Sequence, residues 1–186
     1  MRIIAGEKRS RRLAAPEGTD TRPTADRVRE ALFSILGRRV SGARVLDLYA
    51  GSGALALESL SRGAASAVLV DCGAKACRVI RENIDALAYG DRAQLLRMTD
   101  TAALAKLSAA GEQFDLVFLD PPYRMDTAPV CERLAREGLL AAGGLIVTEH
   151  AKETPPAVSG ALALTDRRIY GVTGLSLFAR AGEENA

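Results

Sequence analysis

From residue 43 to residue 150, short apolar runs alternate with segments of helical spacing, and this alternation leaves the chain few folds to choose from. "ARVLDLY" (43–49), "SAVLVD" (66–71), "AQLLRM" (93–98), "FDLVFLD" (114–120) and "GGLIVTEH" (143–150) each read as a buried strand. Between them, segments from Gly53 to about Arg62, over 74–87, over 101–107 and from about Thr127 to Gly138 carry apolar residues at helical period. Strands separated by helices must run parallel, and a parallel sheet buries both faces under its crossover helices. The ending breaks this rhythm. "ALALTDRRIYG" (161–171) and "GLSLFARA" (174–181) are joined across Gly171 and Gly174, too little chain for a crossover and enough for a hairpin. The expected fold is α/β: a doubly wound, seven-stranded, mostly parallel sheet closed by an antiparallel C-terminal hairpin.

Ahead of the sheet, "TADRVREALFSIL" predicts a helix capped by Thr24 and running through Leu36, with Val28, Leu32, Phe33 and Ile35 or Leu36 on its buried stripe. Its other face shows Arg27 and Arg29. "RIIAGEKRSRRLAAP" (2–16) places two short apolar pieces around a basic turn and reads as a small hairpin. The charge is uneven: residues 1–44 hold eleven Lys/Arg against five Asp/Glu, a net of +6, while the remainder holds 14 against 18, a net of −4. A basic arm on a nearly neutral body suits a polyanionic partner, although charge alone leaves a solvated tail equally open. The chain thus divides into a basic N-terminal extension (1–40), a main domain (41–182) and a short polar tail (183–186).

Several classes drop out. No run of about 18 apolar residues is present to span a membrane. The start lacks the apolar h-region of a secretory signal, and its arginines only partly imitate a transit peptide, so a cytoplasmic protein is expected. Cys72, Cys77 and Cys131 form no CxxC pair and read as reduced, buried thiols. His150 is the only histidine, so a His-based metal cluster and histidine-dependent catalysis are not expected; nor is any metal.

"LDLYAGSGALALE" (46–58) links the first strand to the first sheet helix. Gly51 and Gly53 let the backbone turn tightly and approach a ligand, and the helix start turns free N–H groups toward it. Asp71 closes the second strand 20 residues after Gly51, where a carboxylate can receive ribose hydroxyls. Loop and acid both lie at the carboxyl ends of strands, where open α/β sheets bind ligands. "GSGALA" satisfies the looser Gly-x-Gly-x-x-Gly/Ala fingerprint of dinucleotide binding. Asp47, ahead of the loop, instead gives Asp-x-x-x-Gly-x-Gly, which resembles the S-adenosylmethionine loop of class I methyltransferases, where an acid near the loop meets the methionine ammonium. Asp100, just after the third strand, suits the adenine amino group or, equally, a helix cap.

"FDLVFLDPPYRMD" (114–126) ends a strand on a carboxylate, stiffens the backbone twice and then presents a ring. Pro121 and Pro122 donate no N–H, so their carbonyls stay free to accept hydrogen bonds. Asp120 and a proline carbonyl can take the two N–H groups of an exocyclic amine while Tyr123 stacks on its base. Held so, the amine's lone pair points at an electrophile and Asp120 receives the departing proton.

The chain resembles amino-group methyltransferases of nucleic acid bases in "DPPY", and the RsmD family more specifically. That likeness rests on "RIIAG", Arg9–Leu13, "RPT" (22–24), "DRVREALF" (26–33) and "DLYAGSGALALESLSRGA" (47–64), and runs from residue 2 to about residue 180. The family comprises bacterial 16S ribosomal RNA guanine-N2 methyltransferases, acting on guanine 966 of the small subunit. The resemblance implies a Rossmann-like class I methyltransferase fold and S-adenosylmethionine as cofactor. It implies cofactor contacts from Asp47, Ala50, Gly51, Ser52, Gly53, Asp71 and Asp100, with Asp120, Pro121 and Tyr123 at the target base. Arg2, Arg9, Arg11, Arg12, Arg22, Arg27 and Arg29 would then face 16S rRNA, probed within a small-subunit assembly particle by a monomeric enzyme. Two positions depart from the family pattern: Ser10 stands where glycine is usual, and Val172 replaces the acid of a Tyr-Gly-Asp-Thr ending. Three other readings stay open: a DNA adenine-N6 methyltransferase, a nicotinamide dehydrogenase, and a non-catalytic RNA-binding assembly factor.

Overall fold

The structure, a computed structural model, describes residues 1–16, 23–121 and 125–182, the side chains of residues 23–25 excepted. Seven strands form one sheet in the order β3-β2-β1-β4-β5-β7-β6, and the chain divides into two compact units, Met1–Asp100 and Thr101–Ala186.

The first unit contains α1 (Pro23–Leu36), β1 (Arg44–Leu48), α2 (Ala54–Ser61), β2 (Ser66–Asp71), α3 (Ala74–Leu87) and β3 (Ala93–Arg97). β1 pairs β2 and β2 pairs β3, both parallel. Four of the five residues of β1 are buried, as a strand with helices on both faces requires. Helix α1 starts one residue before the expected cap, at Pro23, whose fixed φ and missing N–H suit a first helical position; the side chain of Thr24 lies outside the described residues. Val28, Leu32, Phe33 and Leu36 are buried as the spacing predicts.

The N-terminal turn is a hairpin in outline only. A single antiparallel bridge joins Arg2 to Arg12, flanked by Ile3 N–H to Arg11 O at 2.9 Å and Ser10 N–H to Ile3 O at 2.9 Å. Much of its support comes from α1, α2 and α3. Glu58, wholly buried, accepts the N–H of Ile4 at 2.7 Å and of Ala5 at 3.0 Å, while Arg62 Nε donates to it at 2.7 Å. The Ser61 hydroxyl donates to Ala5 O at 2.6 Å and accepts from Lys8 N–H at 3.0 Å. The approach is so close that a Cβ on Gly6 would fall 1.7 Å from Ser61 O, so only glycine fits there.

The second unit contains the body of α4 (Asp100–Ala109, whose first residue closes the first unit), β4 (Phe114–Leu119), α5 (Ala128–Arg136), β5 (Leu140–Ala151), β6 (Leu162–Tyr170) and β7 (Thr173–Arg180). β4 pairs β5 in parallel, and β7 pairs both β5 and β6 antiparallel, as expected of the hairpin. β5 begins three residues before the expected start because its glycines bulge instead of ending it. The ladder with β4 shifts register between Phe114 and Leu116, Gly143 takes φ 69°, and a Cβ on Gly144 would lie 2.9 Å from Ala141 O.

Among the described residues, no helix is long and apolar enough to cross a membrane, and no cluster of His, Cys, Asp and Glu could hold a metal ion. Cys77 and Cys131 are buried free thiols as expected, but Cys72 is exposed, since it stands in the turn just past β2. Burial pushes the Cys131 thiol up to about 12. His150 is packed against Gly174 and bonded through its ring nitrogens to Ala151 O and Ser176 Oγ, each at 2.8 Å, a structural role.

Candidate functional site

In the first unit the carboxyl end of β1 runs into a turn in which three residues of five adopt left-handed backbone: Tyr49 (φ 66°), Gly51 (φ 58°) and Gly53 (φ 78°). The two glycines do different work. A Cβ on Gly53 would sit 2.8 Å from Leu69 Cδ2, so this glycine lets α2 pack against β2. A Cβ on Gly51 would meet only Tyr49 O, at 3.9 Å, so this glycine faces open space and leaves its backbone accessible to a ligand.

Asp71, the last residue of β2, is half-buried. Its Oδ2 accepts Gly51 N–H at 3.0 Å and its Oδ1 accepts Gly73 N–H at 2.7 Å. The carboxylate therefore both fixes the glycine turn and stands beside it. A carboxylate has about four acceptor sites, so two remain for a vicinal diol, and these acceptors fit the ribose hydroxyls of an adenosyl cofactor.

Asp47 lies within β1 and is 1% exposed. Its Oδ2 accepts the Ala56 N–H of α2 at 3.1 Å. Burial pushes its carboxyl up to about 7, the Ala56 N–H opposes that rise, and the charge of Asp71 adds to it. A carboxyl so poised takes up its charge most readily when a cation arrives. Ala50 and Ser52 are buried. The Ser52 hydroxyl donates to Met1 Sδ at 3.4 Å, and its carbonyl accepts from Asn83 Nδ2 at 2.9 Å. Asp100 opens α4, and its Oδ2 accepts the Tyr49 hydroxyl at 2.7 Å.

In the second unit Asp120 follows the last residue of β4 and is exposed, with Pro121 buried behind it. Pro122 and Tyr123 lie outside the described residues.

Of the seven arginines expected at an RNA face, Arg2, Arg9, Arg11, Arg12 and Arg27 are exposed, and Arg11 Nη2 also donates to Ala86 O at 3.2 Å. Arg22 lies outside the described residues. Arg29 corrects the reading of α1: its side chain is 6% exposed, with Nη2 donating to Arg2 O at 2.6 Å and to Asp26 Oδ1 at 3.1 Å. It directly follows the buried Val28 and braces the arm. The guanidinium is desolvated, which lowers its pKa, while Asp26 and Glu58 oppose that drop.

Three functional side chains escaped the sequence reading. The strand pattern of residues 43–49 absorbs Tyr49, although a ring directly before a glycine loop is a legible signal. Glu58 stood out as a lone acid in the apolar "ALALESLS". Asn83 gave no signal at all: buried on α3, it donates to Ser52 O and to Ala14 O at 3.0 Å, and accepts Ala14 N–H at 2.8 Å, so it ties arm to glycine loop.

A family model described as conserved hypothetical protein 95 matches residues 1–179. The chain is 38% identical over 184 residues to YlbH of Bacillus subtilis strain 168, covering 98% of this chain and 100% of that one. It is 35% identical over 190 residues to the ribosomal RNA small subunit methyltransferase D of Escherichia coli K12, covering 100% and 94%. The solved structure of the Escherichia coli protein yhhF resembles it with a TM-score of 0.83 at 35% identity, covering 97% of each chain.

Proposed function

We infer the reaction from one premise: the chain belongs to the conserved hypothetical protein 95 family, the RsmD family of small-subunit ribosomal RNA methyltransferases. It is an S-adenosylmethionine-dependent methyltransferase of ribosomal RNA, and the methyl acceptor is the exocyclic N2 amine of a guanine in 16S rRNA, of the guanine 966 type. The observation that carries this reading is the Asp71 carboxylate bonded to Gly51 N–H at 3.0 Å, which presents an acid with spare acceptor sites beside an open glycine turn.

Bound S-adenosylmethionine supplies an electrophilic methyl group on a sulfonium. Asp71 would receive the ribose hydroxyls, the backbone of residues 50–53 would face the cofactor, and Asp47 would answer its ammonium. Asp100, steadied by the Tyr49 hydroxyl, would meet the adenine amine. At the acceptor, Asp120 and the Pro121 carbonyl each take one N–H of the guanine amine while Tyr123 stacks on the base. The amine lone pair is delocalised into the ring, so orientation matters more than basicity; in-line proximity contributes about 7–11 kcal/mol toward the barrier. Asp120 then takes the proton released by the amine.

The exposed arginines of the arm and α1 neutralise rRNA phosphates, each such contact steepening the salt dependence of binding by about one unit or slightly less. Flipping a stacked base costs a few kcal/mol, which favours an unstacked guanine presented by a small-subunit assembly particle in the cytoplasm. The enzyme acts as a monomer.

The test is methyl incorporation into small-subunit RNA that lacks the modification, offered naked and in particles, followed by nucleoside mass spectrometry. N2-methylguanosine is the expected product. Asp120→Ala should cut turnover by about 10²–10⁴-fold while RNA affinity holds. No incorporation with either substrate would overturn the reading, and N6-methyladenosine in DNA would replace it.

A further inference from the structure

The first unit also holds a cleft beside its N-terminal turn. Its volume is about 270 Å³, and it lies between that turn and α1. Three arginines line it, Arg2, Arg9 and Arg27, together with two acidic residues, Asp26 and Glu30. Ile3 and Ile4 supply its apolar wall, Ile3 wholly buried and Ile4 half-buried. Asp26 and Glu30 stand four residues apart on α1 and so share a face. Asp26 commits one oxygen to the buried Arg29 at 3.1 Å. Among the described residues, the Glu30 carboxylate and the side chains of Arg2, Arg9 and Arg27 have no partner.

Such a lining is wrong for an anion alone, because two carboxylates would repel it. It is wrong for a metal ion, because three guanidiniums would. A ligand must bring donors for the acids and negative charge for the arginines at once. Ionised carboxylates only accept hydrogen bonds, and guanidiniums only donate. A nucleotide offers both, as base edge and phosphate. Among the four RNA bases, guanine alone presents two adjacent donors, N1–H and N2–H, on its Watson–Crick edge, and one carboxylate can accept both. Adenine and cytosine set an acceptor beside their amine, and uracil flanks its single N–H with two carbonyls; each would press a lone pair against the acid. The volume falls just below the range of about 300–1,000 Å³ typical of drug-sized ligands, so the cleft suits one flat group with its phosphate at the mouth.

We propose that this cleft holds one unstacked guanosine nucleotide of the substrate RNA, a second guanine apart from the one that accepts the methyl group. Glu30 reads its base edge, Arg2, Arg9 and Arg27 hold its phosphate and stack on its ring, and the isoleucines bear on its face. This rests on RNA being the substrate. The cleft would then supply register, fixing how far along the strand the methylated guanine lies.

The experiment titrates 5′-GMP, 5′-AMP, 5′-CMP and 5′-UMP into the full chain and follows the backbone amide resonances of Ile3, Ile4, Arg27 and Glu30. GMP should shift them saturably at millimolar concentration, about tenfold more tightly than the other three, the size of preference a good bidentate contact gives. Glu30→Gln should erase the preference, and Arg9→Ala should weaken all four nucleotides alike. Asp120→Ala should leave these shifts in place, which separates the cleft from the methyl-accepting site. Unmoved amides, equal binding of the four nucleotides, or a guanine preference that survives Glu30→Gln would each overturn the proposal. Methyl incorporation into small-subunit RNA is measured on the same samples. Wild-type transfer without guanine binding in the cleft overturns the cleft alone, whereas no transfer to RNA overturns the reading beneath it.

Discussion

The two hairpins that begin and end this chain are held by different physics. The N-terminal turn has one bridge of its own, Arg2 to Arg12, and borrows much of the rest from buried side chains of α1, α2 and α3. The C-terminal hairpin pairs along eight positions of β6 and β7, and β7 is buried almost throughout. Its two-residue loop needs a left-handed residue, which Gly171 supplies at φ 63°. One hairpin rests on many small, interchangeable bonds; the other rests on a few buried polar groups with no substitute. The arm should therefore fail at single positions and the C-terminal hairpin should not.

The largest effect is expected at Glu58. Its carboxylate is wholly buried and gathers the N–H groups of Ile4 and Ala5 together with Arg62. Glu58→Ala leaves those donors and the guanidinium unanswered, and breaking a buried pair by removing one partner costs about 3–5 kcal/mol. Urea unfolding measures this. A loss under about 1 kcal/mol would show that water enters beneath the arm and that the contrast between the hairpins is false.

Asn83 comes next. Asn83→Leu keeps the volume but orphans the buried Ser52 O and the part-buried Ala14 N–H and O, and a buried polar group left unpaired costs about 1–3 kcal/mol. A total of about 2–3 kcal/mol is expected, with faster amide hydrogen exchange at Ala14. Unchanged exchange there would mean that the arm is held without this residue.

The same contrast governs what could be read from the sequence. The C-terminal hairpin was legible because strand pairing follows local pattern: alternation, apolar content and glycines in the turn. The parallel strands and the glycine loop with Asp71 were legible for the same reason, since their chemistry lies in contiguous motifs. The support of the arm was not. Asn83 and Ala14 stand 69 residues apart, and Glu58 and Ile4 stand 54 apart, distances over which no periodicity speaks. Arg29 was misjudged on the same ground, for a guanidinium is read as solvent-facing until a distant carbonyl, here that of Arg2, is found to claim it. The β5 start was misplaced because a glycine pair reads as a break while the sheet accommodates it as a bulge.

Asp47 of β1, bonded to the start of α2, sharpens the contrast with Glu58. Glu58 answers a cation, whereas Asp47, among the described residues, has the Ala56 N–H alone and a carboxyl raised from 3.8 to about 7. A raised folded-state value means that the folded protein binds the proton more tightly than the unfolded chain. The resulting stabilisation is fully present below about 3.8, declines as pH rises, and is gone above about 7. Relative to Asp47→Asn, the wild type should therefore lose stability between those limits by up to about 1.4 kcal/mol per pH unit. Affinity for S-adenosylmethionine should move the other way, rising with pH up to about 7 as the carboxylate forms and flattening in Asp47→Asn. Calorimetry across pH reads both trends. Parallel curves for the two proteins would remove Asp47 from the ammonium site.

The smallest effects make the sharpest paired test, because the sequence resemblance expects a different residue at one position of each hairpin. Ser10 occupies a left-handed conformation at φ 68°, in a turn with little else to hold it. A non-glycine residue there costs about 1–2 kcal/mol, partly offset by the extra freedom glycine brings to the unfolded chain, so Ser10→Gly should stabilise by about 0.5–1 kcal/mol. Val172 is 61% exposed and engages Lys152 N–H through its carbonyl at 3.0 Å, a bond any side chain permits. Val172→Asp restores the family's acid and should change stability by less than about 0.5 kcal/mol, the usual range for a surface substitution. Thermal melts of the two variants, run side by side, compare the ends of the chain directly. If Val172→Asp moved the midpoint more than Ser10→Gly, the loop of the C-terminal hairpin would be a point of specific dependence after all, and the redundancy argued for its ladder would not extend to its turn.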